Sequence, residues 1–279
     1  MSIISIYGYI FKVLLAKCIL LIIADYKRYS ESRINMKLVF IRHGDPDYTI
    51  DSLTERGWEE AKLLSKKMKN FKADEIYVSP LGRAQDTANV SLKEMGREAV
   101  TLDWLKEFDS HIVRPDRPDT ITSPAWDWLP QDFAGHEDFF HPDTWTNHPA
   151  YDASTVKEDA YYIYKNFEAF LNEHGYEKDG RYFKATKPNN DTIVFFCHFG
   201  ITCVLLGYLL NLSPFALWHG TCAAPTSMTT VVTEERREGI AYFRMSAFGD
   251  TSHLYAGNME PAFAARFCEC YANTNERHD

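Results

Sequence analysis

At 279 residues, 45% hydrophobic and 25% charged, the chain has ordinary globular composition and is long enough for one large domain or two small ones. Its formal net charge of −9 and the lack of a Lys/Arg-rich run argue against a nucleic-acid partner, and an anionic ligand would need a local cationic pocket. The 6 cysteines form no CxxC pair and no evident disulfide framework, which suits a reducing cytoplasm.

Residues 1–35 stand apart. Ile3 to Ala24 is largely apolar and about long enough to span a bilayer. Lys12 and Lys17 interrupt it, and a central lysine costs about 2.5–3.5 kcal/mol on insertion scales. A secretory leader would place positive charge ahead of the apolar run, and residues 1–11 have none. The segment therefore reads as an extension: a non-native start, a membrane anchor or a docked helix. Membrane contact is expected only if it is a genuine anchor. Met36 stands directly before the first strand, where a compact domain would begin, and no linker or repeat follows.

Leu38 to Ile41 reads as a strand buried on both faces, stopped by the turn residues Gly44, Asp45 and Pro46. Arg42 and His43 then sit at its carboxyl end, where ligands bind in open α/β sheets. Ser52 with Glu55 fits a capping box, and Trp58, Ala61, Leu64, Met68 and Phe71 recur at helical spacing. Glu75 to Pro80 is a second short strand. Ala84, Ala88, Leu92 and Met95 mark a second helix, and a weaker strand surrounds Val100 to Leu102.

From Asp109 to Ala150 no period is sustained, and half of the 12 prolines gather among tryptophans and phenylalanines. Ordinary loops are much shorter, so this is expected to be a functional insertion that folds over something. Val156, Ala160, Ile163, Phe167 and Phe170 restart a helix. Asp191 to Gly200 is another apolar strand ending in His198, leading into an apolar helix over Ile201 to Leu210. Thr226–Thr233 and Ile240–Ser246 read as a hairpin at the sheet edge. The alternation of strands and helices implies an α/β fold: three layers, with a mostly parallel sheet flanked by helices.

In a parallel sheet the carboxyl ends of these strands converge. That gathers Arg42 and His43, Ser79 with Arg83 one turn later, and His198 into one electropositive pocket. Arginine's planar fork matches phosphate oxygens bidentately. Helix starts near Gly57, Arg83 and Gly200 are expected to add backbone N–H donors.

Four segments carry a resemblance. Arg-His-Gly at 42–44, Leu-Thr-Glu-Arg-Gly at 53–57, Ser79-x-x-x-Arg83-x-x-x-Thr87-Ala88 and Phe-Cys-His-Phe-Gly at 196–200 occur in order between Met36 and His253. The chain resembles the histidine phosphatase superfamily, which includes the cofactor-dependent phosphoglycerate mutases. The resemblance implies a phosphoglycerate mutase-like fold, with residues 36–279 as the catalytic domain and 109–150 as its insertion. It implies that His43 is the nucleophile that forms a phosphohistidine. Arg42, Arg83 and His198 would bind the phosphate and stabilise its transition-state charge. His198 is thus both a catalytic and a phosphate-binding candidate. Glu107 would donate and later accept the proton, with Asp103 and Asp109 as neighbours able to substitute. His253 is a further histidine expected to pass near the site.

The pattern also departs from the family's. Asp45, Pro46 and Thr49 stand where Glu or Gln, Thr and Asn are common, and the mutase-type sequence after the signature is missing. A metal-independent phosphomonoester hydrolase is therefore the leading expectation, with a small phosphorylated substrate and no cofactor. A mutase and an inactive phosphate- or phosphoprotein-binding module are the alternatives. No cluster of carboxylates and histidines has metal-ligand spacing, so no metal site is assigned. Arg114 and Arg117 either meet a second anionic group or are solvated loop arginines.

Overall fold

Alternation along the first strand sets the architecture. The computed structural model describes residues 35–114, 122–262 and 272. The expected N-terminal extension, apart from Asn35, lies outside the described residues, as does Arg117. Strand β1 (Lys37–Arg42) is buried from Leu38 onward. Leu38 and Phe40 enter one apolar cluster, Val39 and Ile41 another. That is the period of two that sends neighbouring side chains to opposite faces. A strand dry on both faces must be covered by helices on both sides.

The other strands of its sheet are β2 (Glu75–Val78), β3 (Val100–Thr101), β4 (Tyr176–Asp179), β5 (Tyr182–Ala185), β6 (Thr192–Cys197), β7 (Met228–Arg237) and β8 (Ile240–Asp250). Their order is β3–β2–β6–β1–β7–β8–β5–β4. The first four run parallel to one another. From β1 onward each pairing is antiparallel. The α/β fold is thus built on a mixed sheet, whose parallel half carries the strand ends singled out by the sequence.

The helices are α1 (Glu55–Met68), α2 (Gly82–Met95), the short α3 (Pro130–Phe133), α4 (Val156–Glu173), α5 (Phe199–Leu210), α6 (Pro214–Gly220) and α7 (Ser252–Ala256). Leu64 and Met68 of α1 and Ala84, Ala88 and Leu92 of α2 pack on Val39, Ile41, Val194 and Phe196. On the other face Phe167 and Phe170 of α4 and the apolar residues of α5 pack on Phe40, Ile193 and Phe195. Helix α5 is apolar all round, and it is buried from Phe199 to Leu209. These are the three expected layers.

Three local expectations change. Thr54, not Ser52, caps α1, accepting from Gly57 N at 3.0 Å. Ser52 is instead held in a two-residue ladder with Pro46–Asp47, and its hydroxyl donates to Asp86. The β7–β8 hairpin exists but is internal, because the β4–β5 hairpin pairs onto β8 and forms the edge. The two turn residues of that extra hairpin are Gly180 and Arg181, and Gly180 at φ 60° is its signal in the sequence. Finally, most aromatics of the 109–150 insertion pack against one another and against α6. Phe139 stacks on Phe215 of α6 at 4.1 Å, and Trp128 and Tyr151 close around Phe139. Among the described residues no helix is long and apolar enough to cross a membrane.

Candidate active site

The ladder positions the site directly. Arg42 is in register with Cys197, and His43 N extends the ladder by donating to Cys197 O at 3.0 Å. On the next strand Ser79 N donates to Phe196 O at 2.9 Å. His43, His198 and Ser79 therefore emerge side by side at one sheet edge. The His43 and His198 rings lie 5.1 Å apart between centroids. The Ser79 hydroxyl meets His198 Nε2 at 2.7 Å, while His198 Nδ1 is buried with no hydrogen-bond partner among the described residues.

His43 Nδ1 lies 2.7 Å from the carbonyl oxygen of Gly44. A carbonyl only accepts, so Nδ1 carries the proton and Nε2 keeps its lone pair. Arg83 Nε points at that Nε2 from 3.4 Å. Arg42 is held from the other side, its Nη1 donating to Ala223 O at 2.5 Å and its guanidinium 5.8 Å from the Phe199 ring centroid. Burial, then the charges of Arg42 and Arg83, hold the His43 pKa well below its usual value. His198 is lowered as well, by burial first and then by His43 and the two arginines. Both imidazoles are thus neutral, and the positive charge of the pocket resides on the guanidinium groups.

Glu107 is half-buried as a residue, but its carboxyl is enclosed. Its Oε1 accepts from Phe108 N at 2.9 Å and from Ile201 N, in the first turn of α5, at 3.0 Å. Those contacts and the Arg42 and Arg83 charges favour the ionised form, yet burial outweighs them and the pKa is raised. Asp103 and Asp109 are exposed and pair with Lys106 and His111, so of the three acids only Glu107 faces the two arginines.

The structure thus brings Arg42, His43, Arg83, Glu107 and His198 together. Thr87 ties two of the sequence segments to each other. Its hydroxyl donates to Arg83 O at 2.7 Å and accepts from Gly44 N at 2.9 Å. Other expectations are corrected. Thr49 is exposed and its hydroxyl donates to Asp47 at 2.5 Å, forming a local turn rather than facing the pocket. Arg114 is buried and ion-paired with Asp127 at 2.9 Å, within the insertion. The helix-start N–H groups of Gly57, Gly82 and Ile201 are already taken, by Thr54, Asp51 and Glu107 respectively. His253 reaches the site only indirectly. Its Nε2 meets Thr226 Oγ1 at 2.9 Å, and Thr226 N donates to His43 O at 3.0 Å.

Residues that the motifs did not point to include Asp51, which grips Arg83, and Trp126 of the insertion, which packs over Gly200 beside Glu107. Thr226 is a third, at φ 57°, where a β-branched residue is rarely found. Nothing in its neighbourhood in the sequence signals that backbone.

A model of the histidine phosphatase superfamily (branch 1) matches residues 38–245. The chain belongs to the histidine phosphatase superfamily. A probable phosphoglycerate mutase of Photorhabdus laumondii is 28% identical over 102 residues, 33% of this chain and 47% of that protein. A 2,3-bisphosphoglycerate-dependent phosphoglycerate mutase of Bartonella tribocorum is 42% identical over 77 residues, 27% of this chain and 35% of its own. The matched stretch spans less than half the length of either relative. Among solved structures, the phosphoserine phosphatase of Entamoeba histolytica superposes with a TM-score of 0.51 at 22% identity, over 78% of this chain and 99% of its own. A mycobacterial glucosyl-3-phosphoglycerate phosphatase gives 0.52 at 17% identity, over 78% and 100%. At that identity the superposition speaks for the superfamily's fold. Among the described residues no group of His, Cys, Asp and Glu is placed to hold a metal ion.

Proposed function

We propose that this protein is a metal-independent phosphomonoester hydrolase working through a phosphohistidine on His43. The observation that carries the reading is the tautomer. With Nδ1 donating to Gly44 O, a neutral His43 presents the Nε2 lone pair beside Arg83, at the end of a parallel strand. In the first step Nε2 attacks phosphorus, an N–P bond forms and the ester P–O bond breaks. The leaving alkoxide takes the proton of Glu107, whose raised pKa suits a general acid. The carboxylate so formed then deprotonates water. The resulting attack on phosphorus breaks the N–P bond and returns His43. Arg42, Arg83 and the unpartnered Nδ1 of His198 hold the non-bridging oxygens through both steps.

The substrate is a small phosphomonoester. Structures of the same fold, both of a phosphoserine phosphatase from Entamoeba histolytica, were solved with phosphoserine and with 3-phosphoglyceric acid, both of that kind. The catalytic unit starts at residue 36, with 109–150 as its insertion. Buried Cys197 and Cys203, neither in a disulfide, suit a reducing cytoplasm, and the net charge of −9 disfavours nucleic acid. The names of the curated relatives favour a second reading, transfer to another hydroxyl rather than to water.

The test is phosphate release from an aryl phosphate in excess chelator, comparing wild type with His43→Ala. Chelator-resistant turnover that falls to background in the variant is expected. Continued turnover by His43→Ala rules out the nucleophile assignment. A wild type that binds phosphate without turning over is a binding module. Phosphate found on an added hydroxyl acceptor in place of free phosphate establishes the mutase reading.

A further inference from the structure

Asp51 is the charged residue that the motifs leave unexplained. Its Oδ1 pairs with Arg83 Nη1 at 2.5 Å, and its Oδ2 accepts from Gly82 N, the first residue of α2, at 2.6 Å. One carboxylate therefore holds both the side chain and the start of the helix that presents it. The backbone is shaped for this. Asp51 sits at φ 49°, a left-handed conformation that aspartate tolerates better than most residues. A Cβ at Gly82 would lie 2.1 Å from Asp51 O, so the loop reaches α2 only because position 82 is glycine.

The two ends of the guanidinium are divided between partners. Asp51 takes Nη1, whereas Nε points at His43 Nε2 from 3.4 Å. The ring of Tyr48, on the same loop, lies 5.3 Å from the guanidinium carbon. A free arginine side chain has many rotamers, and fixing one in advance removes that entropy from the cost of gripping an anion.

We propose that Asp51 is a positioning residue. It fixes Arg83 with its Nε edge toward His43 and so sets the affinity of the pocket for a phosphoryl group. The carboxylate's own repulsion of an anion is the smaller effect, because the side chain is 43% exposed and its field is screened by solvent. This inference rests on the phosphate-site reading above, but it concerns binding and does not require turnover.

The experiment is titration with inorganic phosphate, followed by phosphorus NMR so that millimolar binding is still measured. It uses wild type, Asp51→Ala, Asp51→Asn, Arg83→Ala and the Asp51→Ala/Arg83→Ala double variant. Asp51→Ala is expected to weaken phosphate by about 10-fold in the wild-type background, the scale of a modest misplacement of a binding group. In the Arg83→Ala background the same change is expected to cost less than about 2-fold, since Asp51 acts through Arg83. Asp51→Asn keeps an acceptor for Nη1 but presents only one, so it falls between wild type and Asp51→Ala. It also carries the comparison should Asp51→Ala fold poorly. Unchanged or tighter phosphate binding in Asp51→Ala and Asp51→Asn overturns the proposal, as does an equal loss in both backgrounds. A wild type that hydrolyses nothing yet binds phosphate in an Asp51-dependent way removes the hydrolase reading and keeps this one.

Discussion

A buried imidazole and a buried carboxyl respond to burial in opposite senses, and the site uses both. Loss of solvent disfavours charge, so it lowers the pKa of His43 and raises that of Glu107. On the proposed roles His43 must be neutral and Glu107 protonated in the first step. His43 meets its requirement far below the ordinary histidine range, so kcat/KM is expected to show no acid-side loss near pH 6.5. Glu107 loses its proton as pH rises through its raised pKa, and that sets the alkaline limb. In Glu107→Gln the limb disappears, and turnover of an alkyl phosphate falls by about 10²–10³, the usual scale of acid catalysis. The loss is smaller for an aryl phosphate, whose leaving group needs less help. A pH profile of kcat/KM for both substrates checks this, and an unchanged alkaline limb in Glu107→Gln counts against the assignment. At this scale the sequence was legible wherever a residue stood at a strand end. Arg42, His43 and His198 could be placed because parallel strands end together. Asp51 could not, because its role comes from a left-handed turn folding back on α2 across 31 positions of sequence.

Helix starts do much of the positioning, and that of α5 is crowded by side chains of the site itself. Gly200 lies in its first turn, under two groups from elsewhere in the chain. A Cβ there would sit 2.7 Å from Glu107 Oε1 and 2.6 Å from Trp126 Cζ3. Trp126 is braced in turn by Trp218, 5.7 Å away between ring centroids, and the Trp218 indole donates to Gly200 O at 3.0 Å. The half-buried indole rests on Trp218 and the carboxyl is held by two backbone N–H groups, so room for a Cβ comes only by moving one or the other. Gly200→Ala is therefore expected to displace Glu107, lowering kcat/KM at least about 10-fold while costing about 1–3 kcal/mol of stability, the usual range for overpacking. Kinetics alongside denaturant unfolding separates the two effects, and wild-type kinetics in the variant excludes the crowding argument. Elements were legible where the period was clean. Leu38 to Ile41 and Ile193 to Cys197 are continuous apolar runs, and α4 shows its stripe from Val156 to Phe170. The β4–β5 hairpin was obscured because in β4 only Tyr176 is buried and Glu177, Lys178 and Asp179 are polar, while the alternation in β5, Phe183 and Ala185 inward and Tyr182 and Lys184 outward, lasts only 4 residues. The α1 cap was misassigned because Ser52 and Thr54 are both competent capping residues, and only the pairing of Ser52 with Asp47 decides between them.

For the molecule as a whole, the histidines kept neutral inside it make its stability sensitive to acid. His43 and His198 are lowered by burial beside the arginines. His253 is lowered to about 4, by burial and then by the Lys67 ammonium, with Asp250 opposing. Its bonding explains the neutral form. Thr226 Oγ1 donates to Pro225 O, so His253 Nε2 must donate to Thr226, and Nδ1 is left buried with no hydrogen-bond partner among the described residues. In the unfolded chain each of these histidines titrates near 6.5. Above that value both states are neutral and the fold keeps its full stability. As pH falls below it the unfolded chain takes up protons that the folded state refuses, so stability is lost down to the folded pKa. For His253 that window runs from about 6.5 to about 4, and the loss at pH 5 is about 2 kcal/mol. Glu60 and Glu107, with raised pKa values, act in the opposite sense and offset part of it. The melting temperature is therefore expected to fall between pH 7.5 and pH 5. His253→Gln, which retains a donor for Thr226 but cannot titrate, is expected to make that fall shallower. Calorimetry at several pH values measures both slopes, and parallel slopes would mean that the protein accommodates a charged His253, through Asp250 or by local opening of α7.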